Sequence, residues 1–542
     1  MPVLQRSLQS DLRPGSNVKG SAAGAAWTFL LPGLVFDHVL CWGAPSIAAL
    51  ETLSRLGRQV TVVLGAPAAD LEDHLRLRGL THVQLRTGSV SPPPAPADLV
   101  FVTRQHADGD LGGPLEALTP GGQLYLEVPS YRRARRVAER LQASGCRQPV
   151  AFRLTPRDGE ARSAVPADDR QLADYFGTHH LGISSSPVSL PSRHGPGGLG
   201  RSTQRTGLLT GGLASEDPAP AGYLTALARG AGVDIAEYRC ALAAHGRYRS
   251  RKVILYLFPP GGDLPALIVK TTRAPEFNAR LQNEAEALVD IHRRGLVADG
   301  EAPRIAFTGI EGGLLMVAES FVEGTSMRRA LARGGGAGVE AGYEWITRLA
   351  ERSAERHRSH REELSAAAEQ LIRTANSVYA LDADERRALV EAAARLADTS
   401  LSLPTVYLHG DAAVWNAVMT PGGQIAFLDW EAADPEGVAL WDLFSFARSA
   451  ALSGKRRRRL LAQPLRLLRA LGEDGGLARA VSSYCVRAGV SEEAVPALFQ
   501  ICWLHRAVKE ATRLSPSRLQ DGRYINLVRA LLRSRGSASW FA

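Results

Sequence analysis

Residues 406–431 read VYLHGDAAVWNAVMTPGGQIAFLDWE, and no other stretch narrows the possible folds as far. The apolar run Val406–Leu408 has the character of a short strand, and His409, Gly410 and Asp411 follow at its end. Asn416 comes five residues after Asp411. A second apolar run, Gln424–Leu428, ends in Asp429, eighteen residues after Asp411, and Pro421–Gly423 supplies the turn between the two strands. Two strands joined in this way bring Asp411, Asn416 and Asp429 around one cleft. Two carboxylates and an amide oxygen form an oxygen-rich site of the kind magnesium prefers. Phosphoryl transfer needs such a site: the metal neutralises phosphate oxygens, and a separate Asp orients the attacking hydroxyl and accepts its proton.

The rest of the C-terminal half is organised to match. KVILYLF (252–258), a Gly-rich turn and ALIVK (266–270) read as a hairpin, and from about 326 onward the pattern is nearly all helical. Lys270 ends the second strand of that hairpin in a chain with only five lysines against 59 arginines. A compact ammonium is a point-charge donor suited to nucleotide phosphates. Fourteen residues on, NEAEALVDI carries Glu284 and Glu286 on a predicted helix.

His409-Gly410-Asp411 with Asn416, then Leu428-Asp429-Trp430-Glu431, resembles the aminoglycoside phosphotransferase / choline kinase family, whose catalytic loop reads H-G-D-x-x-x-x-N. The resemblance covers roughly 223–530 and implies a bilobal α+β, protein-kinase-like fold using ATP and Mg2+. It implies that Asp411 is the catalytic base, that Asn416 and Asp429 hold the metal, and that Asp442, in GVALWDLFSF, braces the catalytic loop from a helix. By the same resemblance, Lys270 clamps the ATP phosphates and pairs with Glu284, with Glu286 as second choice. GLLMVAESFVEGTS (313–326) is then the interlobe segment, whose backbone around Glu319, Phe321 and Val322 meets the adenine. The phosphate-covering loop falls in AAHGRYRSRK (243–252), with its single Gly246.

The N-terminal part is of another kind. Residues 35–155 alternate short apolar runs (HVLCW, QVTVVL, DLVFV, QLYLEV) with helical patterns, which argues for a parallel, doubly wound α/β sheet. LTPGGQLYLEVPS (118–130) resembles a late strand of class I S-adenosylmethionine-dependent methyltransferases, so a Rossmann-like domain is implied. Its binding positions depart from that family. The first βα turn, Trp42-Gly43-Ala44-Pro45-Ser46, has one glycine where several are usual. The second strand ends VVLGAP (62–67), without the acidic residue that would hold the ribose, and Asp70 comes several residues late. A structural or regulatory scaffold is favoured here over an active methyltransferase.

The expected division is an N-terminal extension (1–34), the Rossmann-like domain (35–176), a Gly/Pro/Ser-rich linker (177–222), a kinase-like N-lobe (223–325) and a helical C-lobe (326–542). Five scattered cysteines without a C-x-x-C pair exclude a disulfide framework and a structural zinc site, and suit a reducing cytoplasm. No run of some 20 apolar residues provides a membrane span.

Protein kinases carry Arg where Gly410 stands, and the interval from Asp429 to Asp442 leaves no room for a long activation segment. A small-molecule hydroxyl is the better acceptor. Residues 451–542 hold 17 Lys+Arg against 6 Asp+Glu, a net +11 that exceeds the +9 of the whole chain. Such a field repels polycations, so the acceptor expected is neutral or anionic, such as a sugar, glycan or metabolite. The run Lys455–Arg459 reads as a solvated helix start, and with no interleaved aromatics it gives no nucleic-acid signature. Two alternatives stand beside the small-molecule kinase: a bifunctional methyltransferase–kinase of glycan or secondary metabolism, and a non-catalytic pseudokinase scaffold.

Overall fold

The computed structural model describes residues 27–88, 95–103, 105–107, 109–128, 131–155, 163–166, 169–179, 205–211, 221–244, 252–332, 337–355, 358–453, 464–472 and 475–533. Gly246, Lys455–Arg459, most of the N-terminal extension and most of the 177–222 linker lie outside the described residues. The chain packs as two units: a sheet unit within residues 17–281 with 305–321, and a helical unit of 282–304 with 322–542.

The sheet unit opens as the alternation of the sequence predicts. Strands β1 (Phe36–Trp42), β2 (Gly57–Leu64), β3 (Val83–Thr87), β4 (Ala97–Val102) and β5 (Leu118–Val128) pair in parallel in the order β3-β2-β1-β4-β5. The central residues of β1, β2 and β4 are buried almost without a break, as strands covered on both faces require. Helix α1 (Ile47–Leu56) joins β1 to β2, its N-terminus capped by the Ser46 hydroxyl, which accepts from the Ala49 N–H. Helix α2 (Ala69–Arg78) joins β2 to β3 and ends on Gly79 in the left-handed conformation. This is the Rossmann-like half of the chain.

Beyond β5 the pairing turns antiparallel and does not stop. β8 (Arg205–Gly211) lies between β5 and β6 (Arg147–Thr155), and β6 pairs with β7 (Ser163–Pro166). The Gly/Pro/Ser-rich stretch expected to be a linker therefore contains a strand: RTGLLTG is short and weakly patterned, but both neighbours take up its backbone groups. β7 then pairs with β9 (Arg239–Ala243), Ser163 against Ala243 and Ala164 against Leu242. β9 leads into β10 (Val253–Phe258), β11 (Leu267–Thr271), β13 (Leu314–Ser320) and β12 (Ile305–Glu311), all antiparallel. β10 and β11 are the expected hairpin, with Leu257 opposite Leu267. Thirteen described strands thus form one sheet. Helix α3 (Arg170–His179) packs Tyr175 and Phe176 onto the β10 face, where they meet Tyr256, Phe258 and Phe321.

The helical unit contains α5 (Ala337–Ser353), α6 (Arg358–Tyr379), α7 (Ala383–Ala397), α8 (Trp441–Ala451), α9 (Gly475–Ala488), α10 (Val495–Ala511) and α11 (Arg523–Arg533), and most of helix α4 (Asn278–Arg293). α7 begins with a capping box, in which Asp382 and Glu385 each accept the other's backbone N–H. Two small ladders break the helices. β15 (Thr405–Leu408) pairs with β18 (Asp434–Val438), and β16 (Ala417–Met419) lies between β14 (Thr325–Ser326) and β17 (Ile425–Phe427). Beneath them sits a cluster of rings. Trp430, fully buried, lies 4.7 Å from His409 and 6.0 Å from Trp345, and Trp345 lies 4.5 Å from Phe427. Among the described residues no helix is long and apolar enough to cross a membrane.

Candidate active site

The polar segment picked out by its spacing occupies the loop between β15 and β16 and the end of β17. At the end of β15 the chain makes a sharp corner at Gly410, whose φ is +78°. A Cβ there would stand 1.8 Å from the Ala432 carbonyl oxygen, so no other residue fits without moving backbone. His409 is wholly buried and fixes the corner from inside. Its Nδ1 accepts the Asp411 N–H at 3.3 Å, which assigns the ring proton to Nε2, donated to the Leu428 carbonyl at 3.0 Å.

Asp442, in the first turn of α8, grips the same corner. Its carboxylate accepts the N–H of His409 at 2.6 Å and of Gly410 at 3.1 Å. Burial pushes the Asp442 carboxyl up, and the Arg506 charge and the two N–H groups oppose that shift. The residue that the sequence offered as a brace therefore touches the loop directly.

The loop also holds two of the three candidate chemical residues together. The Asn416 amide donates through Nδ2 to the Asp411 carboxylate and to the Asp411 carbonyl, both at 3.0 Å. This commits the amide nitrogen and leaves the amide oxygen as the atom of Asn416 suited to a metal. Asn416 is tied in turn to the end of β17, its carbonyl accepting the Leu428 N–H at 2.8 Å. Asp429 is the next residue, and it stands at φ +69°. For a non-glycine residue this is a strained conformation, of a kind that concentrates at functional sites. Leu440, beside Trp441 and Asp442, shares it at φ +69°.

Helix α4 secures the chain just past Asp429. Glu284, fully buried, accepts the Trp430 N–H at 3.2 Å. Its neighbour Asn283 donates to the carbonyls of Glu431 at 3.1 Å and Ala433 at 3.0 Å. Glu286 lies on the exposed face of the helix and accepts from Gln282, so of the two glutamates offered by the sequence only Glu284 is turned inward.

In the sheet unit, Lys270 is opposite Val317, two residues short of Glu319 on β13. That diagonal is within reach of long side chains on one face of a sheet. Lys270 Nζ and the Glu319 carboxylate form a buried ion pair at 2.6 Å. Glu319 thus differs from its expected place at an adenine edge: its backbone stands between Ile268 and Ile305 within the sheet, and its side chain answers the lysine. Phe321 donates its N–H to the Ala266 carbonyl at 2.9 Å and packs its ring on the Tyr175 cluster, and Val322 follows half-buried.

Two features escaped the sequence. Asn283 had no motif to mark it beyond its place before Glu284. Arg506, on α10, lies 95 residues past Asp411 and reaches the same loop, its Nη2 donating to the Gly410 carbonyl and to Ser445 Oγ, both at 3.0 Å. A cleft in the helical unit ends on this corner, lined by Gly410, Trp441, Asp442, His505, Arg506 and Lys509. His505 stacks on Trp441 at 4.8 Å, and burial, with the nearby Lys509 and Arg506 charges, holds its imidazole well below the usual range, hence neutral.

Asn416 and Asp429 supply oxygen atoms of the kind a magnesium ion takes when phosphates complete its shell, so the residues present fit that metal. The N-terminal half gives a different answer for S-adenosylmethionine. Ligands of such folds sit where the strand order reverses, here between β1 and β4. Gly43, just past β1, has its open face covered: a Cβ would meet Thr103 Oγ1 at 2.1 Å and His106 Nδ1 at 2.4 Å. β2 ends in Leu64 and Gly65 without a carboxylate, and Asp70 lies in the first turn of α2. The residues present do not fit that cofactor.

Residues 259–475 match the profile of the Phosphotransferase enzyme family, and that span contains Lys270, Glu284, Glu319, Asp411, Asn416, Asp429 and Asp442. Residues 259–475 are thus similar to phosphotransferase enzymes, in a part of the chain with a kinase-like fold that follows a Rossmann-like one. Among solved structures, an aminoglycoside phosphotransferase from Streptomyces rimosus, crystallised with ADP and streptomycin, is 18% identical over 48% of this chain and 91% of its own, with a TM-score of 0.29. A SAM-dependent O-methyltransferase from Thermotoga maritima is 16% identical over 40% of this chain and 73% of its own, with a TM-score of 0.23. WbdD is 13% identical over 84% of each chain, with a TM-score of 0.25. No curated protein matches the chain.

Proposed function

We propose that this protein transfers the γ-phosphoryl group of ATP to a hydroxyl of a neutral or anionic small molecule, with Mg2+. The observation that carries the reading is the Asp411–Asn416 pair on a loop whose corner is held from α8 by Asp442. In the reaction the acceptor oxygen forms a bond to phosphorus, the bond from phosphorus to the bridging oxygen of ADP breaks, and the acceptor proton passes to Asp411. Asp411 orients the attacking hydroxyl and takes that proton. Asn416 Oδ1 and the Asp429 carboxylate are the groups that would hold magnesium, which neutralises phosphate charge when bound. Lys270, steadied by Glu319, supplies a fixed positive charge for the nucleotide phosphates. Glu284, and the backbone around Phe321 and Val322, complete the nucleotide side of the assignment.

The acceptor class rests on charge. Residues 451–542 carry 17 basic against 6 acidic residues, and a polycation approaching such a region meets a repulsive field. Incubation with labelled ATP and magnesium across sugars, polyols, nucleosides, phosphorylated sugars and aminoglycosides tests this. Label is expected in a neutral or anionic hydroxyl compound, and only when magnesium is present. Label confined to the polycations would overturn the acceptor class, and transfer undiminished by chelation would overturn the metal assignment.

A further inference from the structure

Helix α10 is an apolar core element, with Phe499, Ile501, Cys502, Trp503, Leu504, Ala507 and Val508 all buried. Arg506 in its middle is a cation, only 16% exposed at its side chain. A charge in such a place is costly unless its partners repay it. Those partners are specific: Nη2 donates to the Gly410 carbonyl and to Ser445 Oγ on α8, and Nη1 comes within 3.9 Å of the Asp411 carboxylate. Burial alone would push the guanidinium down, but the acids around it, Asp411 foremost, more than offset this and hold it above its ordinary value.

Gly410 is thereby gripped at both backbone groups. Its N–H rests on Asp442 and its carbonyl on Arg506. The corner cannot be fixed by a side chain of its own, because a Cβ at residue 410 would collide with Ala432. We infer that Arg506 is a positioning residue of the transfer site: its Nη2, donating one N–H to the Gly410 carbonyl and the other to Ser445 Oγ, ties the Gly410 peptide to α8 and so sets the direction in which Asp411 leaves the loop. Ser445 is the third point of this latch and fixes the guanidinium relative to α8. Arg506 lies outside the 259–475 family match. The inference rests on the phosphotransferase reading for its effect on rate, and on geometry alone for its effect on the loop.

Two measurements on the full chain separate those levels. The first is hydrogen–deuterium exchange of peptides covering 405–419, with ATP as the only ligand. The second is steady-state turnover with ATP, read as transfer to acceptor or as hydrolysis. In Arg506→Met, exchange across 410–416 is expected to rise while α10 keeps its protection. Turnover should fall about 10²-fold, as misplacement of a catalytic group by an ångström can produce, with KM for ATP within about twofold of the wild type. Arg506→Lys keeps the charge, but its side chain is one bond shorter and its ammonium is not planar, so it should fold normally, fail to span Gly410 and Ser445 together, and still lose much of the turnover. If Arg506→Met does not fold, Arg506→Lys decides. Unchanged exchange and turnover in Arg506→Lys, or a loss matched by loosening of the whole helical unit, overturns the latch. A wild type that neither transfers nor hydrolyses, while the variant loosens the loop, sinks the phosphotransferase reading and leaves the latch standing.

Discussion

Residue 410 shows how one position decides the path of a loop. Its φ of +78° and the 1.8 Å approach of the Ala432 oxygen to a hypothetical Cβ exclude every side chain. Gly410→Ala is expected to cost roughly 2–5 kcal/mol, combining backbone strain with overpacking. It should also remove turnover, because Asp411 is the next residue. Thermal denaturation and a transfer assay check this together, and a variant with wild-type stability and rate would contradict it. At this scale much of the candidate site's placement was legible. Asp411, Asn416 and Asp429 lie within nineteen residues, where strand and turn signals fix geometry locally. Asp442 was legible through the family resemblance, which implies an acid bracing the loop from the helix that follows. Arg506 and Asn283 were not, because each acts through a tertiary contact that no local spacing encodes. Glu319 was legible as a residue but not in its role: its place in the sheet and its pairing with Lys270 depend on the register of β11 against β13.

Among the elements, the decisive one is β9. It is flanked by β10 on one side and β7 on the other, so the hairpin strands inherit an edge already paired with the Rossmann-like half. An unpaired strand edge is a template for association. Ala241, Leu242 and Ala243 are all fully buried in this arrangement. A chain beginning at residue 221 would lack β7 and expose that edge. It is expected to precipitate or to elute as large aggregates in size-exclusion chromatography, whereas a stable monomer would contradict the structural weight given to the β7–β9 pairing. Neither this pairing nor the strand at 205–211 was legible in the sequence. Both depend on antiparallel partners far away along the chain, and RTGLLTG carries little apolar pattern of its own. The parallel strands β1, β2 and β4 were legible, since burial on both faces writes itself as continuous apolar runs.

For the whole molecule, the Rossmann-like half contributes strands to a shared sheet, and Thr103 and His106 stand against Gly43 at the strand-order reversal where such folds take a cofactor. The proposed chemistry lies in the C-terminal half, and within it turns on one carboxylate. The most direct test is turnover of the full chain carrying Asp411→Asn, assayed with labelled ATP and an acceptor found by screening, alongside ATP affinity by calorimetry. The substitution keeps the size of the side chain and removes its capacity to take a proton. Turnover should drop about 10²- to 10⁴-fold with ATP affinity nearly unchanged. Turnover equal to the wild type would show that Asp411 is not the group that receives the acceptor's proton.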